Sequence, residues 1–171
     1  SVTAIQHIRA VTAIANGGYL VTPHLLKATI DSDGNMNTST AYDNKKQVIS
    51  ESTANTILKM LVNSTKNAAV SGYNVSSKTG TSQKLSRKDA EEDKEYYISS
   101  CVSFAPAEDP QVAILVIVDE PTGQYYYGSQ VAAPIIGNIL SEVLPYLDIA
   151  MNDENVVKSF TVPDYRGTPV D

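Results

Sequence analysis

Val75-Ser76-Ser77-Lys78-Thr79-Gly80-Thr81-Ser82-Gln83 begins on an aliphatic residue, continues through hydroxyl-bearing residues and sets one cation beside one glycine. The run reads as a strand, and a glycine inside a strand marks a place where another backbone can approach closely. Two threonine hydroxyls can hold a carboxylate, and Lys78 supplies a fixed positive charge beside them. The same residues in another setting would be a strand end entering a glycine turn with Lys78 solvated. The surrounding sequence decides between the two.

The 171 residues suffice for one domain with a real core. A net charge of −6 and the absence of any Lys/Arg cluster exclude nucleic acid as a partner. Cys101 is the single cysteine, so no internal disulfide framework exists. Val112–Val118 is far shorter than the roughly 18–20 apolar residues that span a bilayer. The chain opens on Ser1 rather than Met and reads as a piece of a longer protein, so a missing leader carries no information.

Thr3-Ala4-Ile5-Gln6 is a capping box, and the helix it starts carries Ala4, Ile8, Val11 and Ala15 on one face with Ile5 beside it. Asn16-Gly17-Gly18 ends that helix. Tyr19–Val21 and Leu25–Ile30 are short extended runs, Asp33-Gly34 is a hairpin turn, and 35–47 is loop with one weak strand. Ser50 caps a second helix with Ala54, Ile57, Leu58, Leu61 and Val62 as its apolar stripe. After the strand at 75–83 comes a charged connection, Leu85–Glu95. Tyr96–Phe104 and Val112–Val118 form an antiparallel hairpin, the second strand being apolar enough to be buried on both faces. Ser129–Leu144 is the last helix, with Val131, Ile135, Ile139 and Val143 in register and Pro145 stopping it. The fold class is α/β, an antiparallel sheet with helices packed on one side in two or three layers.

Taken in order, these signatures resemble one family. Ser1–Gln6, Ala13–Gly18 and Pro23-His24-Leu25 resemble the segment after the second active-site motif of class B penicillin-binding proteins. Ser77–Gln83 resembles their third motif, Lys-Thr-Gly-Thr. Ser99–Pro110 resembles the strand and turn that follow, and Gly128–Ile139, with Ala132-Ala133-Pro134, their C-terminal helix. On this resemblance, 1–147 is the C-terminal part of a transpeptidase domain of the penicillin-binding-protein/β-lactamase fold. Residues 148–171 are then a linker and, at Phe160–Gly167, the start of a PASTA-like module.

The resemblance implies a serine D,D-transpeptidase that cross-links peptidoglycan stem peptides during division, elongation or sporulation, and that β-lactam antibiotics acylate. It implies catalytic roles for Lys78 and Thr81: Lys78 as the charge that polarises the second-motif serine, Thr81 through its backbone N–H in the oxyanion hole. Thr79, Gly80, Thr81 and Ser82 become the substrate-binding strand, the two threonine hydroxyls holding the terminal carboxylate. It implies a protein on the extracytoplasmic face of the bacterial membrane, anchored by a segment upstream of this chain. No organic cofactor is implied.

The resemblance is incomplete. No Ser-x-x-Lys occurs, and Ser71-Gly72-Tyr73-Asn74 misses Ser-x-Asn by one residue. Nucleophilic acyl transfer needs both a serine and its base. The expected partner is therefore an upstream part of the same protein that carries them, and the fragment alone is expected to be inactive. Two other functions stay open: a non-catalytic scaffolding domain that keeps the groove, and a serine β-lactamase-like hydrolase. Ser77 stands where the family often has glycine. Cys101 and His7 stand where the family has apolar residues; either this is ordinary core variation, or Cys101 binds zinc with His7 or with ligands from the missing part of the protein. Tyr125-Tyr126-Tyr127 is either an aromatic wall of the groove or packing against the preceding strand.

Overall fold

The computed structural model of the chain describes residues 2–38, 45–62, 64–85 and 95–152. Helix α1, Ala4–Ala15, starts on the expected capping box: the Thr3 side chain accepts from the Gln6 N–H, and the Thr3 N–H donates to Gln6 Oε1 at 2.9 Å. Gly18 follows at φ 91°, a left-handed conformation, and sits so close to Ile49 that a Cβ would lie 2.1 Å from the Ile49 carbonyl oxygen. Strands β1 (Tyr19–Leu20) and β4 (Lys46–Gln47) pair antiparallel, as do β2 (Ala28–Ile30) and β3 (Met36–Thr38) across the Asp33-Gly34 turn. Helix α2, Glu51–Leu61, is capped by Ser50, whose Oγ accepts from the Thr53 N–H at 3.1 Å.

The body is an antiparallel sheet in the order β5 (Ser76–Gln83), β6 (Tyr97–Ala105), β7 (Val112–Asp119), with α3, Gly128–Tyr146, against it. Alternation along β6 sorts the core into two layers. Cys101 and Ala105 face α3 and pack with Ala132, Ala133, Ile136, Leu140 and Leu144. Val102 and Phe104 face the other way, onto Leu58 of α2 and Val11, Ile14 and Ala15 of α1. Helices thus cover both faces of the sheet, not one as expected, and the architecture is a three-layer sandwich.

Three expectations about burial change with the structure. Helix α1 docks through Ala13, Val11, Ile14 and Ala15, while Ile5, in its first turn, is 57% exposed. Strand β7 is the outer strand of the sheet and only half-buried; Ile117 is 43% exposed. Most consequentially, α3 buries Ala132, Ala133, Ile136, Leu140 and Leu144, and the expected stripe is displaced: Ile135 and Ile139 are 40% and 38% exposed. Helix α3 is apolar nearly all round, so periodicity alone allows two stripes about 100° apart. Small residues select the one that docks. Gly137 lies against the short 3₁₀ turn Lys66–Ala68, where a Cβ would stand 3.3 Å from the Asn67 carbonyl oxygen. Pro145 lies inside the last turn of α3 rather than ending it.

This difference is measurable. Leu140→Ala should lower unfolding free energy by about 2–5 kcal/mol, because it empties a fully buried site. Ile139→Ala should cost under about 1 kcal/mol. Denaturant unfolding of the two variants checks the assignment, and equal losses would contradict it.

The last described residues run back over the body. The Tyr73 hydroxyl donates to the Ile149 carbonyl at 2.7 Å, and the Asn152 N–H donates to the Gly72 carbonyl at 2.7 Å. The charged stretch 86–94 and the PASTA-like stretch 160–167 lie outside the described residues.

Candidate functional site

Strand β5 carries the lysine, glycine and threonines along one border of the sheet. Its inner edge pairs with β6 in the register Lys78↔Val102, Thr79↔Cys101, Gly80↔Ser100 and Thr81↔Ser99. On its outer edge Ser76 is bridged to Val62, and the Ser64 hydroxyl donates to the Ser77 carbonyl. Beyond that point no described strand pairs with the outer edge, so the backbone from Lys78 to Gln83 is an open template for another extended chain. Ser76 is anchored by its own hydroxyl, which donates to the Leu58 carbonyl of α2 at 3.0 Å. The strand is therefore held firmly at its buried start and presents its polar half at the surface.

Alternation divides the site residues between the two faces. Lys78 and Gly80 share the α1/α2 face, where they line a pocket of about 310 Å³ with Thr79, His7, Val11 and Ile14 of α1, Ile57 and Leu61 of α2, and Ser100, Val102, Phe104 and Leu115 of the sheet. The lining is apolar apart from Lys78, Thr79, His7 and Ser100. Lys78 is exposed, and its Nζ donates back to the Thr79 carbonyl at 2.8 Å. Among the described residues no other acceptor holds it, so its ammonium can turn to an incoming anion.

The Thr81 side chain lies on the opposite face. Its Oγ1 accepts from the Gly128 N–H at 3.1 Å, which joins the strand to the first residue of α3. Gly128 fits there because Gly80 has no side chain and Ser100 directs its hydroxyl to the other face, which leaves bare backbone. A Cβ on Gly128 would lie 2.3 Å from the Ser100 carbonyl oxygen and 2.5 Å from that of Gly80. The preceding turn is held from β6, where the Ser99 hydroxyl donates to the Tyr126 carbonyl. Ser82 is exposed at the far end of the strand.

The tyrosines form a stack at that end. Tyr126 lies on Tyr97 with ring centroids 4.2 Å apart and 17° between planes, and Tyr127 follows at 4.4 Å. The hydroxyl of Tyr97 donates to Glu95, and that bond, ahead of desolvation and the carboxylate's charge, pushes its pKa up to about 12. Tyr126 packs on a strand residue, as the packing reading expects, while Tyr125 and Tyr127 are each 51% exposed.

The zinc pairing of Cys101 with His7 is corrected. Cys101 is 1% exposed in the layer under α3, whereas His7 lines the pocket on the other face of the sheet. Burial pushes the Cys101 thiol up, with smaller opposing effects from the Ser103 hydroxyl and the Lys78 charge. Among the described residues no group of three or more His, Cys, Asp or Glu could hold a metal ion. Ser77, at the glycine position of the resemblance, is 1% exposed, and its Oγ has no partner among the described residues.

Sequence reasoning did not single out Ser99 or Gly128. A glycine at the first position of an apolar helix was the available signal for Gly128; Ser99, one serine in a strand, offered none.

Residues 1–141 match the family described as the penicillin binding protein transpeptidase domain. The chain is 40% identical over 172 aligned residues to stage V sporulation protein D of Bacillus subtilis, covering 97% of this chain and 26% of that protein. It is 31% identical to a probable peptidoglycan D,D-transpeptidase, PenA, of Neisseria flavescens, over 85% of this chain and 35% of the relative. Among solved structures, penicillin-binding protein 3 of Mycobacterium tuberculosis complexed with ampicillin superimposes with a TM-score of 0.75 at 26% identity, over 90% of this chain and 36% of that one. The transpeptidase domain of Burkholderia pseudomallei penicillin-binding protein 3 gives 0.66 at 31% identity, over 89% of this chain and 44% of that one. The chain thus spans about a quarter to a third of the curated relatives it matches.

Proposed function

The chain belongs to the penicillin binding protein transpeptidase domain family, and we propose that within the whole protein it forms one wall of a peptidoglycan D,D-transpeptidase cleft. The observation that carries this reading is the placement of Lys78-Thr79-Gly80-Thr81 on a sheet edge that no described strand pairs, beside an open, mostly apolar pocket. An extended stem peptide ending in D-Ala-D-Ala adds to that edge as a further strand. Its terminal carboxylate is held by the hydroxyls of Thr79 and Thr81 and by the charge of Lys78.

A serine from the upstream part of the protein attacks the carbonyl between the two D-alanines. The peptide C–N bond breaks, the terminal D-Ala leaves as an amine with a proton, and an acyl-enzyme remains. An amine of a second stem takes the acyl group and releases the serine. The Thr81 backbone N–H supplies one oxyanion donor, a contribution of about 3 kcal/mol to the transition state. Penicillins enter as mimics of the dipeptide and stay attached. The chemistry takes place at the outer face of the membrane, where peptidoglycan is; none of the described helices is long and apolar enough to cross a bilayer.

The test is covalent labelling of the full-length protein with a fluorescent penicillin. A band that survives denaturation and persists is expected. A folded full-length protein that takes no label points to a scaffolding domain, and label lost within minutes points to a hydrolase.

A further inference from the structure

We propose that Ser99 is a positioning residue for Thr81, acting through the Tyr126–Gly128 turn; the inference rests on the transpeptidase reading above. Ser99 is fully buried on β6 as the cross-strand partner of Thr81, and its hydroxyl donates to the Tyr126 carbonyl. Two residues further on, the Gly128 N–H donates to Thr81 Oγ1 at 3.1 Å. The β5–β6 pairing, Ser99, the turn and Thr81 thereby close a ring around the substrate-facing strand.

The ring constrains one atom. A threonine hydroxyl has one proton and two acceptor sites. With a backbone N–H occupying an acceptor site, the Thr81 proton is turned away from Gly128, and no described group accepts it. Thr81 is exposed, so that proton is confined to the two staggered positions that Gly128 leaves open and is available to a carboxylate.

The start of α3 is shaped for this contact. Tyr127 stands at the N-cap and makes no side-chain capping bond, and the first N–H of the helix goes to Thr81 instead. The approach requires glycine at 128, as the 2.3 Å and 2.5 Å distances from a notional Cβ show. Ser99 sets where the turn stands, and the Tyr97–Tyr126 stack, from the same face of β6, holds it as well.

The experiment measures the second-order rate of acylation by fluorescent penicillin in the full-length protein. Ser99→Ala should slow acylation about tenfold or more, the scale of a small misplacement of a binding group. In a Thr81→Val background, which removes the oriented hydroxyl, Ser99→Ala should cause no further loss. A merely structural role makes the two losses multiply. Should Ser99→Ala not accumulate as folded protein, Ser99→Cys, which keeps a weak donor, carries the same cycle with the same two readings. Multiplying losses, or a wild-type rate in Ser99→Ala, overturn the role of Ser99 while leaving the transpeptidase reading intact. A wild-type protein that is never acylated removes both.

Discussion

Replacing Lys78 by alanine in the full-length protein should slow penicillin acylation about 10²–10³-fold and leave the fold intact. The size follows from removing a fixed charge aimed at the reacting groups, an effect on the scale of losing one oxyanion donor. The indifference of the fold follows from the local structure. Lys78 is exposed, and its Nζ donates only to the neighbouring Thr79 carbonyl among the described residues, a bond that water can replace. Stability should change by less than about 0.5 kcal/mol. Lys78→Arg should recover only part of the rate, because a planar guanidinium does not reproduce a compact ammonium. Acylation kinetics and thermal unfolding on the same samples test this. A Lys78→Ala protein acylated at the wild-type rate would remove the lysine from the mechanism.

Gly128→Ala should damage stability and acylation together. The added methyl would begin 2.3 Å from one backbone oxygen and 2.5 Å from another, with no flexible side chain to yield. Either α3 lifts at its start or β5 and β6 bend. Overpacking of this kind costs about 1–3 kcal/mol, and backbone obstruction puts this site at or above the upper end. Any shift also separates the Gly128 N–H from Thr81, so acylation should fall even in the fraction that stays folded. Gly123→Ala is the internal control, because nothing lies within 4 Å of its notional Cβ and its backbone is not left-handed. Thermal unfolding of the pair gives the contrast. A Gly128→Ala protein as stable as Gly123→Ala would mean that the close approach of α3 to the strand is not required.

The features legible in the sequence were those set by neighbours along the chain. Thr3 and Gln6 stand three residues apart and complete their capping box within one turn. Asp33-Gly34 turns β2 into β3, and the alternation of β6 with the aliphatic run of β7 announces their hairpin. The Lys-Thr-Gly-Thr strand was identifiable because its chemistry is compressed into four consecutive residues. The side of α3 that docks was not legible. Two apolar stripes compete in 128–146, and the choice depends on how closely Gly137 and Ala133 let the helix approach the 3₁₀ turn and the sheet. The zinc pairing failed for a related reason, since strand alternation sends Cys101 to the α3 side and His7 belongs to the other layer.

By itself the sequence determined the elements, their caps and turns, the antiparallel hairpin and the Lys-Thr-Gly-Thr strand, because hydrogen bonds within a turn and side-chain alternation along a strand are local. Only the tertiary structure decided that β5 borders the sheet with no described strand on its outer edge from Lys78 onward, that Lys78 and Thr81 look to opposite faces, and that Ser99, Tyr126 and Gly128 close on Thr81. Those contacts join residues 27 and 47 positions apart. They exist because two layers of helix pack on one sheet, and the packing of bare backbone at Gly80 and Ser100 against Gly128 is a property of no single segment.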